Sequence, residues 1–354
     1  MPPSLVRLAL IASIHLPVTA RQGAIHAPPN PEIQHGIVAL EAALTESGSE
    51  YGNVRVELDS GRLGPESFEL SHGPDSSSIS IKAGGQTGAI YGLLDLAEKI
   101  REHSSPEEIE TLTQSPRFPF RAIKFNLPWF AYRSNDAITL HYDTCRDLAF
   151  WEAFLDMMAE NRFNALTLWN LHPWPYLVRP TNFPYANTFS DEEMAEWRTL
   201  YTGIFRLARD RGIETYLVNW NIFVSEGFRD HHGLDRLGNI SAERGIRPEI
   251  AELASQYNRE AVTQVLNEYP DLTGIGLSLG EAMGGMTAPV REQWMLDTIV
   301  AGIQAADRPA KLIHRVPFSA GLGNGGSTSR TTEEITRLAP ACYRMKSLIN
   351  VGFA

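Results

Sequence analysis

The chain has 354 residues, 43% hydrophobic and 21% charged, an ordinary globular composition with enough apolar material for a large core in two domains or one barrel. A net charge of −11 argues against nucleic acid or an anionic membrane as partner, because both need clustered Lys and Arg. The two cysteines, Cys145 and Cys342, form no metal or redox spacing and read as unlinked thiols.

In chain order, residues 1–24 carry Arg7, the apolar run Leu8–Ile14 and the small-residue pattern Val18-Thr-Ala20. They read as a secretory signal and predict a periplasmic or secreted location, with a misassigned start or an amphipathic tail as the alternative. No later run is long and apolar enough to span a bilayer. Residues 30–104 predict a small α+β domain: a helix over 33–45, alternating strands at Val54–Leu58, Ser67–Leu70 and Ser78–Lys82, then a helix over Ala89–Ile100. Gly84-Gly-Gln-Thr-Gly88 lacks the Lys-Ser/Thr ending of a phosphate loop and reads as a turn before that helix. The polar stretch 105–117 reads as a linker.

From 118 to 354 strand-like runs alternate with amphipathic stripes, which predicts a parallel sheet flanked or closed by helices. The strand candidates are Phe120–Asn126, Ala165–Asn170, Glu214–Asn219, Gly274–Leu279 and Lys311–Val316. The stripes between them, such as Met194, Trp197, Tyr201, Ile204 and Ala208, are packing faces, and a further one starts at Thr332. A (β/α)8 barrel needs eight such units in roughly 250 residues, and about five are visible. The fold expected is therefore α/β: a small α+β domain followed by a partial barrel, with an open sheet that is complete as it stands as the alternative.

In such barrels the chemistry lies at the C-terminal ends of the strands. Those ends carry Lys124 and Asn126, Trp169, Asn170, His172 and Trp174, Asn219, Trp220 and Asn221, Glu281, and His314-Arg315. Flat indoles cover the apolar face of a sugar ring, while amides and cations bond its hydroxyls or a carboxylate, so these positions are expected to bind carbohydrate. Lys124 and Arg315 are candidates for a substrate carboxylate or for a structural ion pair, and His172 could instead cap a turn. Glu281 ends an apolar strand amid glycines, where burial raises a carboxyl pKa toward that of a proton donor; a strand-end Glu in a solvated loop is the bland alternative. No cofactor or metal is expected: His231-His232 has no partner at ligand spacing, and no Gly-x-Ser-x-Gly elbow occurs.

The stretches Ser78–Ala97 and Pro116-Arg-Phe-Pro-Phe-Arg121 resemble glycoside hydrolases that join a small α+β domain to a barrel, the family 67 α-glucuronidases first and the family 20 β-hexosaminidases second. The resemblance implies hydrolysis of an oligosaccharide or polysaccharide with Glu281 as general acid. Gly280 stands where family 20 carries an aspartate that orients the acetamido group, and Gly280-Glu-Ala-Met-Gly284 is closer to family 67. It also implies a second carboxylate from later strands, beyond residue 354, so that this chain alone is expected to be inactive. An inactive carbohydrate-binding relative and a sugar-phosphate lyase or isomerase are the rival classes.

Overall fold

The computed structural model describes residues 24–48, 51–75, 77–103, 105–131, 135–219, 222–278, 283 and 285–315. The secretory-signal reading therefore falls almost wholly outside the described residues, as do Trp220, Asn221, Glu281 and the helix expected from Thr332.

The first unit is a five-stranded sheet backed by two helices. Its elements are β1 (Ile25–His26), α1 (Gln34–Ser47), β2 (Val54–Leu58), β3 (Phe68–His72), β4 (Ile79–Ala83), α2 (Gln86–Glu102) and β5 (Leu112–Gln114), with strand order β1-β2-β4-β3-β5. Val54 and Val56, Phe68 and Leu70, and Ile79 and Ile81 are buried on one face, where α2 packs, with α1 against α2. The period-2 pattern thus does what it predicts. The stretch 105–117 is not a bare linker, because Leu112–Gln114 pairs antiparallel with β3. Three residues are too few to show alternation, so this edge strand left no sequence signal. Gly84 is needed for close approach: a Cβ there would lie 2.0 Å from the Gly64 carbonyl oxygen, so the glycine run is a packed turn into α2.

The second unit runs through β6 (Ala122–Asn126), α3 (Asp136–Thr139), α4 (Leu148–Glu160), β7 (Ala165–Trp169), α5 (Asp191–Arg209), β8 (Glu214–Asn219), α6 (Glu226–His232), α7 (Pro248–Glu268), β9 (Gly274–Ser278), α8 (Ala288–Met295), α9 (Ala301–Gln304) and β10 (Lys311–Arg315). Its five strands are all parallel, in the order β10-β9-β8-β7-β6. Leu166, Leu168, Leu217, Ile275, Leu277 and Leu312 join one large core with Trp151, Leu155, Tyr201, Phe205, Val262, Val265 and Ile299 of the helices. Ala165, Trp169, Tyr216, Val218 and Ile313, on alternate positions of the same strands, form a separate cluster with no helical residue in it. Among the described residues the helices cover one face of this sheet, which is barrel-like; a doubly wound sheet has helices on both faces. The strand-to-strand progression matches the expected α/β class.

Local signals fix the helix ends. Ser190 and Glu193 close a capping box at the start of α5, whose first turn is acidic and whose last carries Arg206 and Arg209. The two units meet at Arg121, just before β6. Its guanidinium reaches a Glu66 carboxylate (3.0 Å), the Tyr91 hydroxyl (3.0 Å) and the Phe118 and Arg162 carbonyls, while Asn164 bonds both Glu66 and the Arg121 backbone N–H.

Candidate functional site

The lumen face of the second sheet is set by register. Lys124, Thr167, Tyr216, Gly274 and Lys311 share one level, and Asn126, Trp169, Val218, Gly276 and Ile313 the next one toward the C-terminal rim. Gly276 clears space for Val218: a Cβ on it would approach Val218 Cγ2 to 2.5 Å. At the lower level Lys311 and Tyr216 both bond the Glu214 carboxylate, and burial raises the Tyr216 hydroxyl pKa, so this end is a structural ion pair beside the first unit.

From the lower level the Lys124 ammonium reaches the Trp169 ring, 4.2 Å from its centroid, a cation–π distance, and Asn126, exposed, is the strand neighbour of Trp169 in register. The Trp169 indole N–H donates to Thr167 Oγ1 (2.9 Å), which fixes the ring orientation. Above them the loops leaving β6, β7 and β8 converge. Phe130, with φ of 49°, accepts a hydrogen bond from the Leu171 N–H (3.0 Å) and lies edge-on to Phe223 (6.5 Å) and to His172 (6.3 Å). A bulky residue at positive φ stores strain, and such strain clusters at working sites. Phe130 and Phe223 are only partly buried and add aromatic surface to the rim that the sequence reading missed. The Pro128-Trp-Phe130 run was the available signal for the first of them.

The expected ligand contacts divide. Lys124, Asn126 and Trp169 come together on the lumen side. His172 and Trp174 do not: both are fully buried, with His172 Nε2 at 2.8 Å from the Tyr257 hydroxyl and the Trp174 indole N–H donating to Asn258 Oδ1 (3.0 Å). Direct sugar contact by these two is corrected to packing against α7. His172 has no accessible face, and burial holds its pKa down at about 3.

Asn170 and Asn219 are also buried, at the strand positions that alternate toward the helices, so direct contact with a ligand is corrected for them too. Their amides have no hydrogen-bond partner, and neither ring nitrogen of His314 has one. Asn219 and His314 flank Leu277 in register, and the Asn170 N–H donates to the Val218 carbonyl. They form one transverse row of unmet polar groups behind the rim. Burial pushes the His314 pKa down to about 4. The backbone of Arg315 ends β10 on the lumen-facing alternation, and its side chain lies outside the described residues, as do Trp220, Asn221 and Glu281. Among the described residues no cluster of His, Cys, Asp or Glu could hold a metal ion, and no helix is long and apolar enough to cross a membrane.

No protein-family model matches the sequence, and no curated protein matches it. Solved structures do. A family 138 glycoside hydrolase targeting pectin rhamnogalacturonan II superposes with a TM-score of 0.73 at 22% identity, over 89% of this chain and 37% of the enzyme. The chain shares the fold of these enzymes. The product-bound mutant β-hexosaminidase of Streptomyces plicatus gives 0.56 at 13% identity over 91% of this chain and 68% of that one, and a chitobiase of Flavobacterium johnsoniae gives 0.52 at 14% over 89% and 54%. The chain thus spans little more than a third of the family 138 enzyme, and identities this low establish architecture alone.

Proposed function

We propose that this chain carries the α+β domain and the first five βα units of a glycoside hydrolase, with its sugar site at the C-terminal rim of the parallel strands. The observation that carries the reading is the pair of exposed side chains Lys124 and Asn126 at that rim, a cation and an amide set around the edge of the largely buried Trp169 ring. The structural neighbours named above, which are glycoside hydrolases, support it. The α-glucuronidase-like reading rests on the resemblance to family 67, with Lys124 and Arg315 as its sequence candidates for holding a substrate carboxylate. Glu281 follows β9 by three residues and serves as general acid, protonating the leaving oxygen while a second carboxylate, ~6.5–9.5 Å from it if the enzyme inverts, activates water.

The family 20 neighbours favour a second reading, β-N-acetylhexosaminidase-like chemistry. Gly280, in the place of an acetamido-orienting aspartate, counts against it. Secretion to the periplasm or outside the cell belongs to the same proposal and rests on residues 1–24. The full-length protein should release uronic acid from uronate-capped oligosaccharides and leave N-acetylglucosaminides intact. The opposite preference would select the second reading, and affinity without turnover the inactive relative.

A further inference from the structure

The chain between β7 and α5, residues 170–190, is longer than ordinary connections and contains two short 3-10 turns, yet it is held at many points by a single helix. Along α7, Tyr257 meets His172, Asn258 meets Trp174, Glu260 accepts from the Asn182 N–H and side-chain amide (2.8 Å each), and Gln264 donates to the Arg179 carbonyl (3.2 Å). Just past the helix, the Tyr269 hydroxyl donates to the Leu177 carbonyl at 2.8 Å. Two adjacent residues of this ladder also hold the next loop. Tyr257 stacks on Phe228 (5.3 Å, 24°) and hydrogen-bonds Ser225, which caps α6, while Asn258 Nδ2 donates to the Phe223 carbonyl (3.2 Å). Phe223 is the partly buried rim aromatic, and His172 is three residues from Trp169.

We infer that Tyr257 and Asn258 are positioning residues: they tie the loops leaving β7 and β8 to one rigid helix and so set the spacing of Trp169 and Phe223 across the sugar-binding rim. Both are essentially fully buried, so neither can touch a ligand. Their hydrogen bonds go to side chains and carbonyls of both loops, which also touch each other farther out through Tyr185 and His232 (2.9 Å) and through Phe183 and Phe228. A helix is a stiffer base than a loop, and a site whose supporting contacts are buried keeps its geometry without ligand. The inference rests on the proposed rim as the place of binding.

Tyr257→Phe removes the hydroxyl and keeps the ring, and Asn258→Leu removes the amide. Amide hydrogen exchange on the folded full-length protein should speed up about tenfold in residues 170–187 and 222–228 of each variant, the effect of one lost buried hydrogen bond on a local opening equilibrium, while strands β6 to β10 keep their protection. Gln256→Ala, whose amide bonds Glu252 one turn back and neither loop among the described residues, should change neither loop. In hydrolysis assays on oligosaccharides KM should rise severalfold with Tm within a few degrees of wild type. Unchanged exchange in both loops, or acceleration spread evenly over the fold, overturns the inference. Exchange confined to the loops in a protein that cleaves no sugar would sink the proposed function and leave the tie between loops and helix intact.

Discussion

At the scale of single residues, the most consequential groups are polar ones without partners. Asn170, Asn219 and His314 lie buried in one row behind the rim, where an unmet donor or acceptor costs about 1–3 kcal/mol. Burial holds His314 at about 4 and His172 at about 3, below the ordinary value of 6.5, so both are neutral in the folded state near pH 7. The unfolded chain binds protons first, so the stability that these neutral imidazoles supply is complete above pH 6.5 and is lost as pH falls from 6.5 through 4 toward 3. Thermal melts across that range should show a falling Tm, and His314→Leu should flatten the fall; an acid limb identical to wild type would contradict the assignment. Gly276 marks another residue-scale demand. Gly276→Ala should destabilise by about 1–3 kcal/mol in urea titration, because its Cβ would meet Val218 at 2.5 Å.

At the scale of elements, the sequence was most legible where a period runs long enough. The five parallel strands fall within a residue or two of the runs at Phe120, Ala165, Glu214, Gly274 and Lys311, and the helix stripe from Met194 to Ala208 is the packed face of α5. What the sequence hid has a physical reason. Leu112–Gln114 is an edge strand too short to alternate, and the depths of His172 and Trp174 are set by α7, some 80 residues later in the chain. Composition can mark His and Trp as ligand-like, but only the packing decides which way they face. Two element-level tests follow from contacts that were legible only in part. Ser190→Ala should cost about 1 kcal/mol by removing the α5 capping box. Arg121→Lys should cost roughly 2–3 kcal/mol, since an ammonium cannot serve Glu66, Tyr91 and two carbonyls at once; denaturation that keeps its wild-type midpoint would show the joint between the two units to be dispensable.

At the scale of the whole molecule, a two-helix α+β unit is locked through Arg121 and Asn164 to the N-terminal end of a parallel sheet, and the other end of that sheet holds the cation, amide and aromatic groups. The ion pair of Lys311 and Glu214 secures the end of the sheet away from that rim. Glycosidic hydrolysis at that rim is the central claim, with Glu281 as its proposed acid. The most direct measurement compares wild type and Glu281→Gln, in the full-length protein, on uronosides with poor and with activated aryl leaving groups. The account expects kcat/KM to fall ~10²–10⁴-fold for the poor leaving group and much less for the activated one, because only the former needs a proton from the acid. Equal losses on both substrates, or a Gln variant as active as wild type, would contradict it.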